Sequence, residues 1–321
     1  FCTADPKRVP RSVVMPTPLR CEASLLAKDL SGKIAIVTGA NCGCGYGTSE
    51  QLIKQGAQVV MACRDATKGE AAAAELKGIF MQLDLGSLAS VRAFAEAFLK
   101  KYNRLDYLVN NAGVMACPKG STADGFETQF GTNHLGHFLL TALLKPVLEK
   151  SAPSRVINLS SCANSAMMGA GEDPDIYFDD FHFETMTYEP WKAYGQSKLA
   201  NVLHAQEVSK RFKGVQAVSL HPGWVQSELM RHQMPSFIQG CFDFLMKSLG
   251  QMITQNDGIQ TTMHCILTDK LDNGGFYSQF GIYKDPASQA GGWPMKVPNP
   301  NAYDTAKAAR LWEESAKLVK L

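Results

Sequence analysis

The sequence lacks most of the features that would place it in other functional classes. It has almost no net charge, with 32 Lys and Arg against 30 Asp and Glu for a formal +2. No basic field marks it for nucleic acid. It has no run of the ~18–20 apolar residues needed to cross a bilayer. The best candidate, 138–148, is broken by Lys145 and Pro146. No transmembrane segment is expected, and peripheral membrane contact stays open. Internal repeats are absent, and at 45% hydrophobic residues the chain is neither disordered nor fibrous. Nine cysteines, at 2, 21, 42, 44, 63, 117, 162, 241 and 265, form an odd set without metal spacing, since Cys42 and Cys44 are one residue apart rather than two. Free thiols in a reducing compartment are the expectation. The histidines at 134, 137, 182, 204, 221, 232 and 264 show no ligand spacing either, and no metal is predicted.

What is present is an alternation. Over 321 residues, enough for one large domain or two small ones, apolar runs at 33–38, 58–62, 79–83, 105–109, 155–159, 215–220 and 275–278 read as strands. Between them, 48–55, 66–76, 87–101, 132–150, 190–212 and 254–267 read as helices. Continuous apolar strands alternating with helices predict an α/β fold, one doubly wound domain over 31–285 with a parallel seven-stranded sheet covered on both faces. Residues 286–321 form a tail whose stripe of Ala308, Leu311, Trp312, Ser315, Leu318 and Val319 predicts a helix packed on the domain.

Residues 1–30 are assigned to an N-terminal extension. Its first 21 residues carry Lys7, Arg8, Arg11 and Arg20 against Asp5 alone, with four prolines. This composition resembles the remainder of an organelle transit segment, and a leading Phe resembles the processing site of plastid proteins in algae with red-lineage plastids. A plastid is favoured over a mitochondrion, with the cytoplasm as the other reading, and a protein partner docked through this arm is an expectation. An ordinary tail explains the same residues.

Thr38-Gly39-Ala40-Asn41-Cys42-Gly43-Cys44-Gly45 closes the first strand and opens a helix. Glycines there permit a tight turn and close approach of backbone to a pyrophosphate, which the helix N-terminus then attracts. Its TGxxxGxG spacing resembles the short-chain dehydrogenase/reductase family. Asn110-Asn111-Ala112-Gly113 after the fourth strand resembles the family's NNAG motif, and Asn133 lies in the helix that follows. Ser161 ends the fifth strand, Tyr194 and Lys198 form a YxxxK pair, and Pro222-Gly223-Trp224-Val225-Gln226-Ser227 resembles PGxVx(S/T). The closest look is to the retinol-dehydrogenase-like branch, carried by Ala62-Cys63-Arg64-Asp65, NHLGHFLL, SKLANVL and HPGWVQSEL. Light-dependent protochlorophyllide reductases share two of these stretches, but their Lys-Asp-Ser-Lys after the active Tyr is replaced by Gly-Gln-Ser-Lys.

The resemblance implies a Rossmann-like nicotinamide-binding domain. Gly39, Asn41, Gly43, Gly45, Asp84, Asn111, Ala112, Gly113, Pro222, Gly223, Val225 and Ser227 would bind the cofactor together with Tyr194 and Lys198. Where an NAD enzyme ends its second strand with an acid for the ribose 2′-hydroxyl, this chain has Cys63 followed by Arg64. A guanidinium pairs with a 2′-phosphate, so Arg64, helped by Lys68, points to NADP(H); a surface arginine is the plain alternative. Asn133, Ser161, Tyr194 and Lys198 would be catalytic. Tyr194 and Lys198, four apart, share a helix face. The ammonium and the positive ring of an oxidised nicotinamide are expected together to lower the phenol pKa so that Tyr194 exchanges the proton as hydride moves. Ser161 would hold the substrate oxygen and Asn133 would link Lys198 to a proton relay.

Two segments are expected to shape the substrate side. The stretch 163–189 holds seven acids and no Lys or Arg, and reads as a lid, a docking loop or a solvated acidic loop. The stretch 228–253 is rich in Met and Phe and suits a plastic apolar cavity, a docking face or buried core. The reading is an NADP(H)-dependent oxidoreductase interconverting a lipophilic carbonyl and alcohol. The alternative is an accessory subunit of a larger organellar complex that retains the nucleotide site.

Overall fold

The uninterrupted apolar runs become β1 (Ile34–Thr38), β2 (Gln58–Cys63), β3 (Ile79–Gln82), β4 (Tyr107–Asn110), β5 (Ser154–Leu159), β6 (Val215–His221) and β7 (Phe276–Ser278). A computed structural model, which describes residues 17–168, 171–225 and 252–321, joins them in one sheet of order β3-β2-β1-β4-β5-β6-β7. Every pairing is parallel. Strand alternation divides the apolar side chains between two cores. Ile36, Val60, Leu108 and Val156 enter one, and Ala35, Val37, Val59, Met61, Val109 and Ile157 enter the other. The second core is covered by α1 (Ala23–Leu26), α2 (Gly43–Lys54), α3 (Ala66–Leu76) and α8 (Gln255–Leu267). The first is covered by α4 (Leu88–Lys101), α6 (Gly136–Lys150), α7 (Pro190–Arg211) and α9 (Thr305–Leu318). This is the doubly wound, seven-stranded parallel architecture read from the sequence. The strand order reverses between β1 and β4, so the carboxyl ends of the strands diverge there and leave a crevice.

Two helices differ from expectation in ways that matter for the site. α2 begins at Gly43 rather than Thr48, because the glycine turn is itself the helix's first turn. The helix expected from 132 starts earlier, as α5 (Thr128–Phe130), where the Glu127 carboxylate caps the Gln129 and Phe130 N–H groups. It runs through one π-helical turn, Gly131–Leu135, into α6. Gly136 ends that turn against β3's exit, where a Cβ would stand 2.4 Å from the Leu85 carbonyl oxygen.

α9 docks on α6 and α7. The Trp312 ring lies 4.8 Å from Phe138, the Arg211 guanidinium sits 4.9 Å over it, and Ser315 Oγ is 2.8 Å from His134 Nε2. The acidic stretch is packed rather than free. Ile176, Phe181 and Phe183 are buried, and the Phe181 ring stacks on Phe130 at 4.9 Å. Asp175 pairs with Lys307, and Asp180 accepts the Glu184, Thr185 and Met186 N–H groups within its own turn. Residues 17–30 lie on this chain's own body. Leu19 exchanges two backbone bonds with the Gln279 side chain, Arg20 pairs with Asp257, and Cys21, Leu25 and Leu30 are buried. Residues 1–16, which carry most of the basic, proline-rich composition, lie outside the described residues. Among the described residues no helix is long and apolar enough to cross a membrane, and no group of three His, Cys, Asp or Glu could hold a metal.

Candidate active site

A cleft of about 960 Å³ occupies the crevice. Its nucleotide end is made by the turn after β1. Gly39 and Gly43 take left-handed backbone angles, φ +64° and +54°, which glycine adopts without strain. Gly45 is required by closeness instead, since a Cβ there would stand 2.4 Å from the Gly39 oxygen and 2.5 Å from Asn111 Nδ2. Thr38 ties this turn to β4's exit. Its hydroxyl accepts the Asn111 and Ala112 N–H groups at 2.9 Å each, and the Asn111 amide donates to the Thr38 carbonyl at 2.7 Å. Among the described residues no side chain caps the start of α2, so its first N–H groups remain available to an anion. A turn closed to a Cβ at Gly45, a helix start with no side-chain cap among the described residues and a long cleft beside them fit a dinucleotide.

Arg64 and Lys68 border the same end, both exposed, and the carboxylate nearest them, Asp65, caps α3 by accepting from the Lys68 N–H at 3.0 Å. Asp84 lines the cleft and accepts the Gly86 N–H at 2.9 Å. Asn41, Asn111, Ala112, Gly113, Pro222, Gly223 and Val225 line it as well. Gly45 supports the turn from behind. Ser227 and nearly all of the Met- and Phe-rich segment fall outside the described residues; Met252 and Ile253, at its end, are buried, and Ile253 packs against Gly223.

At the other end Ser161, Tyr194 and Lys198 converge. The ammonium of Lys198 lies 5.5 Å from the Tyr194 ring centroid and donates to the Leu159 carbonyl at 3.0 Å. Asn133 is fully buried and does not line the cleft. It stands behind Gly113, where a Cβ would come within 3.0 Å of Asn133 Oδ1 and 3.5 Å of Lys198 Nζ. The π turn aims its amide at the Val114 peptide, accepting its N–H at 2.8 Å and donating to its carbonyl at 2.9 Å, and at Ser197 Oγ, 3.0 Å away.

Burial dominates the electrostatics of this pair in the chain alone. Burial pushes the Tyr194 phenol well above its ordinary pKa, opposed by a hydrogen bond from Ser161. Burial also pushes Lys198 down to about 8. Desolvation acts on both groups against their charged forms. The chain alone therefore does not lower the phenol pKa; it brings the pKa of the lysine, still mostly protonated at pH 7, nearer to the working pH.

Sequence reasoning missed a buried link between the two ends. His137, its pKa pushed down to about 4 chiefly by burial, is neutral. Its Nδ1 lies 3.0 Å from the Asn133 carbonyl oxygen and its Nε2 2.9 Å from Thr38 Oγ1. A carbonyl only accepts, so Nδ1 carries the proton and Nε2 accepts from Thr38. Also missed were Trp191, Met115, Cys117, Pro118, Cys162 and Met167, which line the cleft. Trp191 alone had a sequence signal, standing three residues before Tyr194 on one helix face.

Comparison with known proteins agrees with this geometry. Residues 33–171 match the family model described as short chain dehydrogenase. Human retinol dehydrogenase 11 is 42% identical over 91% of this chain and 87% of its own length, and mouse retinol dehydrogenase 13 is 42% identical over 91% and 85%. An uncharacterised protein of Mycobacterium paratuberculosis superposes with a TM-score of 0.72 at 33% identity, covering 92% of this chain and 96% of its own. The Pseudomonas aeruginosa RhlG/NADP active-site complex does so with a TM-score of 0.62 at 25% identity, covering 78% and 96%. The chain belongs to the short-chain dehydrogenase/reductase family, in its retinol-dehydrogenase-like branch. It is an oxidoreductase whose cleft is that of a nicotinamide cofactor.

Proposed function

We propose that this chain interconverts a lipophilic carbonyl compound and its alcohol with NADP(H). One observation carries the reading. A single cleft is bordered by Arg64 and Lys68 at its nucleotide end and by Met115, Cys117, Cys162, Met167 and Trp191 around Tyr194 at the other. At the end of β2 two cations, Arg64 and Lys68, face the cleft while the carboxylate between them, Asp65, is engaged in capping α3, which favours a 2′-phosphate over a free ribose hydroxyl. Sulfur and aromatic walls favour an apolar substrate, and the relatives named retinol dehydrogenases fit that chemistry.

When bound, the cofactor supplies or accepts the hydride. The side chains handle the proton. Ser161 Oγ holds the substrate oxygen, and the Tyr194 hydroxyl gives its proton to that oxygen in reduction and takes it back in oxidation. Lys198, with a pKa of about 8, gains and loses a proton near working pH and restores the phenol. Asn133 fixes the Val114 peptide and Ser197 beside it. NADPH oxidation by the purified chain with a panel of apolar aldehydes, retinal among them, tests the reading. Tyr194→Phe lowers kcat by about 10²–10⁴-fold while NADPH still binds; undiminished turnover refutes it. The reading as an accessory subunit has no observation in its favour, since the described part of the arm lies on this chain itself.

A further inference from the structure

Among the described residues few large apolar side chains are left in the open, and one of them, Trp191, stands on the cleft with 37% of its surface exposed. Its ring meets Tyr194 edge to face, with centroids 5.8 Å apart and planes at 82°. The position is held from behind. Pro190, the first residue of α7, has its carbonyl bonded by Gln129 Nε2 at 2.9 Å, and the same amide nitrogen donates to the Tyr188 hydroxyl at 3.0 Å. That hydroxyl donates in turn to the Cys117 carbonyl at 2.9 Å, so the indole and the Met115–Pro118 wall of the cleft hang from one buried network. The Tyr194 ring is itself buried, and of the two indoles that line the cleft, Trp191 and Trp224, it is Trp191 whose ring meets it and so stands beside the reacting oxygen.

We propose that Trp191 is a specificity-determining residue that selects planar, conjugated carbonyl compounds over saturated ones of the same length. This rests on the oxidoreductase reading above and names the substrate class within it. A flat π-system conjugated to the carbonyl lies against the indole while its oxygen sits between Ser161 and Tyr194. Flat π-surfaces attract one another beyond the area they bury. A saturated chain offers only area, and the sulfurs of Met115, Cys162 and Met167 accept it equally well.

The probes are 2,4-decadienal and decanal, equal in length and different in planarity. Two readouts are taken on the full chain. One is the ratio of kcat/KM for the two aldehydes with NADPH; the other is the affinity for each aldehyde by isothermal titration calorimetry, which needs no turnover. In Trp191→Leu the preference for the dienal falls by about 2–10-fold in both readouts relative to wild type, the range of one aromatic contact. Trp191→Phe keeps most of it, and NADPH affinity is unchanged in both variants. Intrinsic reactivity differences cancel because each ratio is compared with wild type. Equal affinity of wild type for the two probes, or a Leu variant with an undiminished ratio, overturns the proposal. Absence of NADPH oxidation by wild type with any aldehyde overturns the oxidoreductase reading instead, and the calorimetric titration then still decides the role of the indole. Should Trp191→Leu fail to fold, Trp191→Phe against Trp191→Met gives the same comparison.

Discussion

Gly45→Ala separates a steric requirement from a conformational one. Gly45 does not take the left-handed backbone angles of Gly39 and Gly43, so alanine is free to adopt its conformation. The objection is space. The new Cβ would stand 2.4 Å from the Gly39 oxygen and 2.5 Å from Asn111 Nδ2. To reach tolerable contact the start of α2 has to retreat by roughly 0.5–1 Å, and overpacking of this kind costs about 1–3 kcal/mol. The displaced Asn111 amide holds the Thr38 carbonyl at 2.7 Å, and weakening that bond adds about 1 kcal/mol. At roughly 2–4 °C per kcal/mol for a domain of this size, Tm falls by about 4–16 °C. The retreat also moves the N–H groups that receive the phosphates, so NADPH affinity falls by about tenfold, the effect of 1.4 kcal/mol. Thermal melts and NADPH fluorescence titrations read the two effects. A variant that melts within a degree of wild type and binds NADPH as tightly would refute the argument that α2 leans on the β1 turn.

Arg64→Asp replaces a cation by an anion at the end of β2, and the ratio of NADPH to NADH affinity drops by at least tenfold, about 1.4 kcal/mol; an unchanged ratio in fluorescence titrations removes the case for a 2′-phosphate. Asp106 has no exposed side-chain surface; burial pushes its pKa up, but Arg104, the Ile34 N–H and Lys33 outweigh this and hold it below the usual carboxylate value. A depressed folded pKa contributes stability above the unfolded value of about 3.9 and loses it as pH falls through the folded value. Denaturant melts should therefore show wild type more stable than Asp106→Asn at pH 7 and the gap closing only below pH ~4; a gap independent of pH would contradict the assignment. Leu311→Ala in α9, whose side chain is 1% exposed, costs about 2–5 kcal/mol in the same melts and leaves NADPH affinity intact below the transition, because α9 packs on the face of α6 and α7 away from the nucleotide turn.

Local pattern carried most of the fold and part of the site. A continuous apolar run such as that of β2 is buried on both faces and demands a covered parallel sheet. The glycines after β1 mark a turn because Gly39's left-handed angle favours glycine and Gly45's neighbours leave no room for a Cβ. Tyr194 and Lys198 share a face because α-helical spacing places them there. These are statements about residues near one another in the chain, and one sequence contains them.

Contacts between distant segments were decided only in three dimensions. The acids of 163–189 look alike in sequence, yet Asp180 ends in its own turn while Asp175 finds Lys307 across the molecule; a charge does not announce its partner. The Thr38–His137–Asn133 link joins three elements, and nothing in the pattern of α6 distinguishes His137 from a core histidine. The phenol and ammonium pKa values of the chain alone are set by burial, which depends on everything packed around a group and outweighs the one neighbour that spacing identifies. The residues themselves determined the scaffold and the presence of a nucleotide turn; packing determined how dry the reacting groups are and which indole stands beside them, since desolvation and contact are properties of the assembled chain.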